Sequence, residues 1–116
     1  HGAFHSGLMQ SAQESLSPFV LEAPIQDSSI HLVMNVPGKR VDSVAMIKDC
    51  LIRQVTHSIR WEQGIVSMAE EGVDRFIEMG CGRTLSGMNK KIGVLGETLS
   101  IEKVEHLELL GALCNC

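Results

Sequence analysis

The sequence predicts an α/β fold in which short parallel strands alternate with helices. Three observations carry that expectation. The runs IHLVMNV (30–36), VDRFIEMG (73–80) and VLGETLS (94–100) are short, rich in apolar residues and bounded by turn formers, the pattern of strands in an internal sheet. Between these runs apolar residues recur at helical spacing. Strands separated by whole helices cannot pair as hairpins, so they are expected to lie parallel with right-handed crossovers.

The elements follow in order. Leu8, Ala12 and Leu16 mark one face of a first helix, with Ser6 or Gly7 at its start and Pro18 at its end. His5 therefore stands at a helix entrance. Residues 21–29 are turn-rich and read as a loop. The strand 30–36 is closed by Pro37 and Gly38. Val44, Ile47, Leu51 and Val55 define a second helix from about Asp42 to Val55, capped by Asp42 or Ser43 and broken at THS, 56–58. A third helix turns Trp61, Ile65, Met68 and Ala69 inward and closes at Gly72, where a left-handed residue suits a helix end. After the strand 73–80, the GCG turn leads into a helix around Arg83 to Asn89. Following the strand 94–100, Ser100 caps a last helix whose buried stripe is Ile101, Val104 and Leu107, extending toward Leu110. The layer is three strands wide. So narrow a sheet exposes an edge that neighbouring strands would normally cover, and residue 1 is not methionine. The expectation is the tail of a longer polypeptide.

A chain of 116 residues with 44% hydrophobic residues can build the core of one ordinary domain. Its 10 basic and 14 acidic residues give a net charge of -4 with no cluster of one sign, which argues against a surface built to neutralise phosphates. Aromatic residues make up 3%, too few for a base-stacking platform. No apolar run approaches the roughly 20 residues that cross a bilayer, and no secretory signal opens the sequence; the expected compartment is the cytoplasm. Cys50, Cys81, Cys114 and Cys116 lack the spacing of a disulfide framework and read as reduced thiols. Cys114, Cys116 and His106 make a weak metal reading, because structural zinc uses pairs separated by two to about four residues.

His5 is the residue with the most chemical promise. Imidazole takes and gives a proton near neutral pH, which suits general-base work on a hydroxyl nucleophile. Position alone favours an ordinary surface histidine, and context has to carry the functional reading. Gln54 ends an apolar-faced helix, where backbone carbonyls are left without helical partners.

Several ordered motifs narrow the reading. GAFHSGLM at 2–9, then MNV, LIRQVTHSIRW and GVDRFIEMGCGRTLSGMNKKI, together resemble the C-terminal part of the malonyl-CoA:acyl carrier protein transacylases, in register from residue 2 to about 92. The resemblance implies the C-terminal part of a three-layer, hydrolase-like α/β acyltransferase subdomain spanning 1–116, without the ferredoxin-like small subdomain and the N-terminal part. It implies transfer of a malonyl group from coenzyme A to a serine and then to the phosphopantetheine thiol of acyl carrier protein, in fatty-acid synthesis. His5 matches the catalytic histidine, and Gln54 the residue whose backbone carbonyl fixes the imidazole tautomer. Phe4 matches a position that helps select the acyl group, an aromatic ring there going with malonyl over methylmalonyl. Asn35 matches a family motif and is expected to support the substrate site from the end of a strand; an asparagine that simply starts the turn before Pro37 is an equal alternative.

Malonyl-CoA and acyl carrier protein are thus the implied substrate and partner, with no resident cofactor and no metal. Carrier proteins are acidic, which makes Arg53, Arg60, Lys90 and Lys91 candidate contacts. GCGRTLSG departs from the family pattern, which usually has proline where Cys81 stands; its glycines suit a tight strand-to-helix turn, and a phosphate cradle or reactive thiol is the weaker alternative. The serine elbow G-x-S-x-G does not occur in the 116 residues, so the isolated chain is expected to be inactive. A non-catalytic α/β module that binds a carrier protein or another partner is the competing reading.

Overall fold

The computed structural model describes residues 2–113. The chain divides into two compact units, His1–Met68 and Ala69–Cys116. The first unit opens with a 3-10 turn, Gly7–Met9, followed by α1 (Gln10–Glu22), β1 (Leu32–Met34), β2 (Lys39–Val41), α2 (Val44–Arg53) and α3 (Trp61–Glu70), whose last two residues fall in the second unit. The second holds β3 (Arg75–Met79), α4 (Thr84–Ile92), β4 (Glu97–Ile101), a 3-10 turn at Val104–His106 and α5 (Leu107–Leu113).

The α/β class holds, and the parallel pairing holds for one strand pair. β3 and β4 lie parallel from Arg75 opposite Glu97 to Met79 opposite Ile101, with α4 between them in sequence. Phe76 and Ile101 are buried there, and Gly93 ends α4 in the left-handed conformation at φ 81. The expected single layer of three parallel strands is corrected. β1 pairs antiparallel with β2, Leu32 opposite Val41 and Met34 opposite Lys39, and the two strand pairs form separate sheets. Pro37 and Gly38 do not merely end a strand; they turn it back. Gly38 adopts φ +60 and its N–H donates to the Met34 carbonyl at 3.0 Å. The returning strand, KRV, is short and charged and carries no apolar signature, which hid the hairpin.

The core of the first unit is small. Met34, Val41 and Cys50 are buried together, with Ile47 and Leu51 packed against them. Ser43 caps α2, its hydroxyl accepting from Met46 N–H at 3.2 Å, as one of the two expected caps. Burial, with Asp49 adding to it, pushes the Cys50 thiol up from its ordinary value, so it is held as the uncharged thiol.

Three expectations about helices are corrected. Pro18 does not end α1, which continues to Glu22. Proline removes one donor and crowds the carbonyl four residues back, a cost of about 3 kcal/mol, yet the ladder resumes beyond it, and Ala23 N–H closes the helix on the Phe19 and Val20 carbonyls. The face Leu8, Ala12, Leu16 is not buried: Leu8 is 83% exposed and lies in the 3-10 turn, and no residue of α1 is buried. α1 is instead tied to α2 and the turn after it by polar contacts, Lys48 Nζ with the Leu21 carbonyl at 2.5 Å and Thr56 with Gln13. Ser100 lies in β4 and caps nothing. The last helix begins at Leu107, and Val104 and Leu107 of its expected stripe are exposed.

Candidate active site

Of the residues singled out for acyl transfer, His5 and Gln54 meet at the C-terminal end of α2. His5 Nδ1 lies 2.6 Å from the Gln54 carbonyl oxygen, and the His5 backbone N–H donates to the next carbonyl, Val55, at 3.0 Å. Both carbonyls lie just past the last residue of α2, where helix geometry leaves oxygens without an N–H four residues on. One residue is thus held at backbone and ring by two consecutive carbonyls.

That clamp has chemical consequences. A carbonyl only accepts, so Nδ1 carries the proton and Nε2 of the neutral ring keeps its lone pair. His5 also has φ 62, the single positive value at a non-glycine among the described residues, a conformation costing about 1–2 kcal/mol. Strain of this kind persists where surrounding contacts over-determine a residue, and here the two carbonyls do so. The side chain is exposed, leaving Nε2 accessible.

Asn35 lies in the turn after β1, half-buried, and its Nδ2 faces Gln54 Oε1 at 3.5 Å, a weak contact at most. Its carbonyl accepts from Arg60 N–H at 2.9 Å. Asn35 therefore approaches the residue that holds His5, and it also starts the turn before Pro37. Phe4, directly before His5, is 64% exposed; its ring lies over Gly2, where an added Cβ would come within 2.6 Å of Cε2. Ser6 does not cap the following turn; its hydroxyl donates to the Ala3 carbonyl at 2.6 Å.

The Val55 carbonyl and the Thr56–Gln13 pair escaped the sequence reading. A backbone oxygen leaves no trace in residue type, and nothing about a glutamine in mid-helix announces a partner 43 residues away. A cavity of about 400 Å³ lined by Ile25, Ile30, His31, Leu32, Arg40 and Ile47 among others lies apart from His5. Within it Arg40 bonds Asp42 at 2.6 Å and His31 Nδ1 at 3.1 Å.

The GCGRTLSG loop is not an open anion cradle. Gly82 N–H donates to Glu102 Oε1 at 2.9 Å, and Leu85 and Ser86 N–H donate to the Glu78 carboxylate at 3.0 and 2.9 Å. The donors that would hold a phosphate are occupied by carboxylates of the chain itself. Ser86 and Ser100 hydroxyls add to Glu78, at 2.5 and 3.4 Å. The Ser86 hydroxyl, with these N–H groups, holds Glu78 below the ordinary glutamate value of 4.5, and the Arg83 guanidinium with Gly82 N–H does the same for Glu102.

These two shifts give a pH prediction. A carboxylate with a lowered folded pKa contributes stability above its unfolded value and loses it as pH falls through the folded one. Urea unfolding midpoints should therefore drop below about pH 4.5, and the drop should be shallower in Glu78→Gln; equal slopes in the two proteins would contradict the assignment.

Among the described residues no group of three His, Cys, Asp or Glu side chains is placed to hold a metal ion. His106 Nδ1 accepts from Glu102 N–H at 3.2 Å, and Cys114 and Cys116 lie outside the described residues.

No protein-family model matches the chain. The malonyl CoA-acyl carrier protein transacylase of Bacillus subtilis strain 168 is 36% identical over 108 residues, covering 93% of this chain and 34% of the relative. The chain is related to malonyl-CoA:acyl carrier protein transacylases. It spans about a third of the length of these curated relatives. The acyl-carrier-protein S-malonyltransferase of Bartonella henselae superposes with a TM-score of 0.89 at 26% identity, over 97% of this chain and 36% of that transacylase. A complex of a type II polyketide synthase acyl carrier protein with its malonyl transacylase matches with a TM-score of 0.83 at 27% identity, again over 97% of this chain and 36% of the matched one. No helix among the described residues is long and apolar enough to cross a membrane.

Proposed function

We propose that the chain supplies the general base of a malonyl-CoA:acyl carrier protein transacylase acting in the cytoplasm, the nucleophilic serine coming from outside these 116 residues. In this reading residues 1–116 are the C-terminal segment of the large α/β acyltransferase subdomain. The observation that carries the proposal is the His5 clamp: with Nδ1 committed to the Gln54 carbonyl, 2.6 Å away, Nε2 is the basic nitrogen.

The steps follow from that proton inventory. As the serine oxygen attacks the malonyl thioester carbon, its proton passes to Nε2, and the Gln54 carbonyl supports the imidazolium through Nδ1–H. The tetrahedral intermediate collapses, the carbon–sulfur bond breaks, and Nε2–H protonates the departing coenzyme A sulfur. The phosphopantetheine thiol of acyl carrier protein then attacks the seryl ester; its proton goes to Nε2 and on to the serine oxygen. Coenzyme A and phosphopantetheine are substrate and carrier arm, so the chemistry calls on no resident cofactor or metal. The tautomer logic needs no carboxylate, only an acceptor that holds Nδ1–H.

Phe4 narrows the acyl pocket in this proposal, and Asn35 supports the site through Gln54. Among the cations offered for an acidic carrier, Arg53 is paired with Asp49 at 3.3 Å, while Arg60, Lys90 and Lys91 are exposed and favoured for steering.

The test is a chimera in which this chain replaces the matching third of the Bacillus subtilis relative. A folded chimera should transfer malonyl groups to acyl carrier protein. A folded chimera without transfer would instead favour the non-catalytic binding module. In the active chimera, Phe4→Ser should raise kcat/KM for methylmalonyl-CoA relative to malonyl-CoA by about tenfold, the lower end of what one carbon is worth in a tight pocket; an unchanged ratio removes Phe4 from the pocket.

A further inference from the structure

His5 is held by two carbonyls that themselves sit in a short turn after α2, and that turn has a tether of its own. Thr56 Oγ1 donates to Gln13 Oε1 at 2.6 Å in a half-buried contact. A hydroxyl has one proton and an amide oxygen only accepts, so at 2.6 Å that proton goes to Gln13 rather than to the Arg53 carbonyl at 3.4 Å. His57 Nδ1, 3.0 Å from Thr56 Oγ1 and 2.9 Å from the Arg53 carbonyl, is then the donor toward both. Thr56 N–H and His57 N–H also close on the Arg53 carbonyl, at 3.1 and 3.0 Å. With the Arg53 oxygen so occupied, the Gln54 and Val55 oxygens are left to His5.

The contacts make a closed circuit. His5 leads through the Gly7–Met9 turn into α1; Gln13 on α1 holds Thr56; Thr56 follows Val55, whose carbonyl with that of Gln54 holds His5. We propose that Gln13 and Thr56 are positioning residues for His5: their hydrogen bond fixes the 54–55 carbonyls against the imidazole and thereby selects the Nδ1-protonated ring. The inference rests on the transacylase reading for its purpose, not for its geometry. His5 is exposed and its backbone is strained, so its own two bonds compete with water. The half-buried Gln13–Thr56 bond is less exposed to that competition. When it is lost, the turn frays, the strain at φ 62 relaxes and the ring is released.

The test uses the 116-residue chain with ¹⁵N-labelled histidine and reads which ring nitrogen of His5 is protonated, above the histidine pKa. The unsubstituted chain should show Nδ1–H with a bare Nε2. Thr56→Val, which keeps the side-chain shape and removes the hydroxyl, and Gln13→Leu should each move the tautomer ratio toward Nε2–H by at least about threefold, while β1–β2 amide signals stay in place. Thr56→Ser should restore the original ratio. An unchanged ratio in folded Thr56→Val, or in folded Gln13→Leu should the first variant fail to fold, overturns this inference and leaves the transacylase reading standing. Nε2–H in the unsubstituted chain overturns both.

Discussion

In the active chimera, His5→Ala is expected to lower the rate of malonyl transfer by at least about 10³-fold with little change in KM for malonyl-CoA. The size follows from cooperation within the site: base, nucleophile and oxyanion donors act as a unit, and removing one member forfeits most of what the others provide. The split follows from role. A proton carrier contributes in the transition state and little to ground-state binding, so kcat falls and KM stays. Stability should fall only slightly, because the ring bond lost to the Gln54 carbonyl is exposed and alanine retains the backbone N–H that bonds Val55. Folding and catalysis are thereby separated by one substitution. Transfer by His5→Ala within tenfold of the unsubstituted chimera would remove His5 from the mechanism, whatever the distance to Gln54.

What was legible in the sequence divides along physical lines. Periodicity and capping residues signal helices whose faces or ends are specified locally: α2 with Ser43 and α3 with Gly72. The parallel β3–β4 pair was legible because a helix intervenes. The β1–β2 hairpin was not, because pattern reading relies on apolar contrast and KRV has little. Pro18 misled for a related reason: propensity prices a local donor, while continuation of α1 depends on bonds formed beyond it. The pairing of His5 with Gln54 could be anticipated only through the family motifs, since a ring and a backbone oxygen 49 residues apart share no local pattern. The positive φ of His5, the Val55 carbonyl and the Gln13–Thr56 bond belong to the same class: tertiary facts that residue identity does not encode alone. The exposed faces of α1 and of Val104 and Leu107 show the same limit from the other side, because apolar spacing predicts a face and not what covers it.

The strongest stability effect is expected at Gly38, not in the buried cluster. Gly38 holds φ +60, and a Cβ there would lie 2.8 Å from Arg60 Cβ, 2.9 Å from Gln63 Cβ and 3.1 Å from the Arg60 carbonyl oxygen. Two independent penalties coincide. A left-handed backbone costs a non-glycine residue about 1–2 kcal/mol, and forcing a methyl into a filled space costs about 1–3 kcal/mol more. The neighbouring atoms are a helix-start backbone and two Cβ atoms, none of which can swing aside as the tip of a long side chain would. Gly38→Ala should therefore lose about 2–5 kcal/mol in urea unfolding, more than Cys50→Ala, which removes a single sulfur from the core. The effect should also reach the site. Gly38 closes the turn that begins at Asn35, whose carbonyl receives Arg60 N–H, so relieving the clash by moving the turn displaces Asn35 from Gln54. Under conditions where Gly38→Ala remains folded, the Nδ1–H signal of His5 should report that displacement. A variant as stable as the original would mean that the turn yields without cost, and the close approach between it and the start of α3 would then have no structural weight.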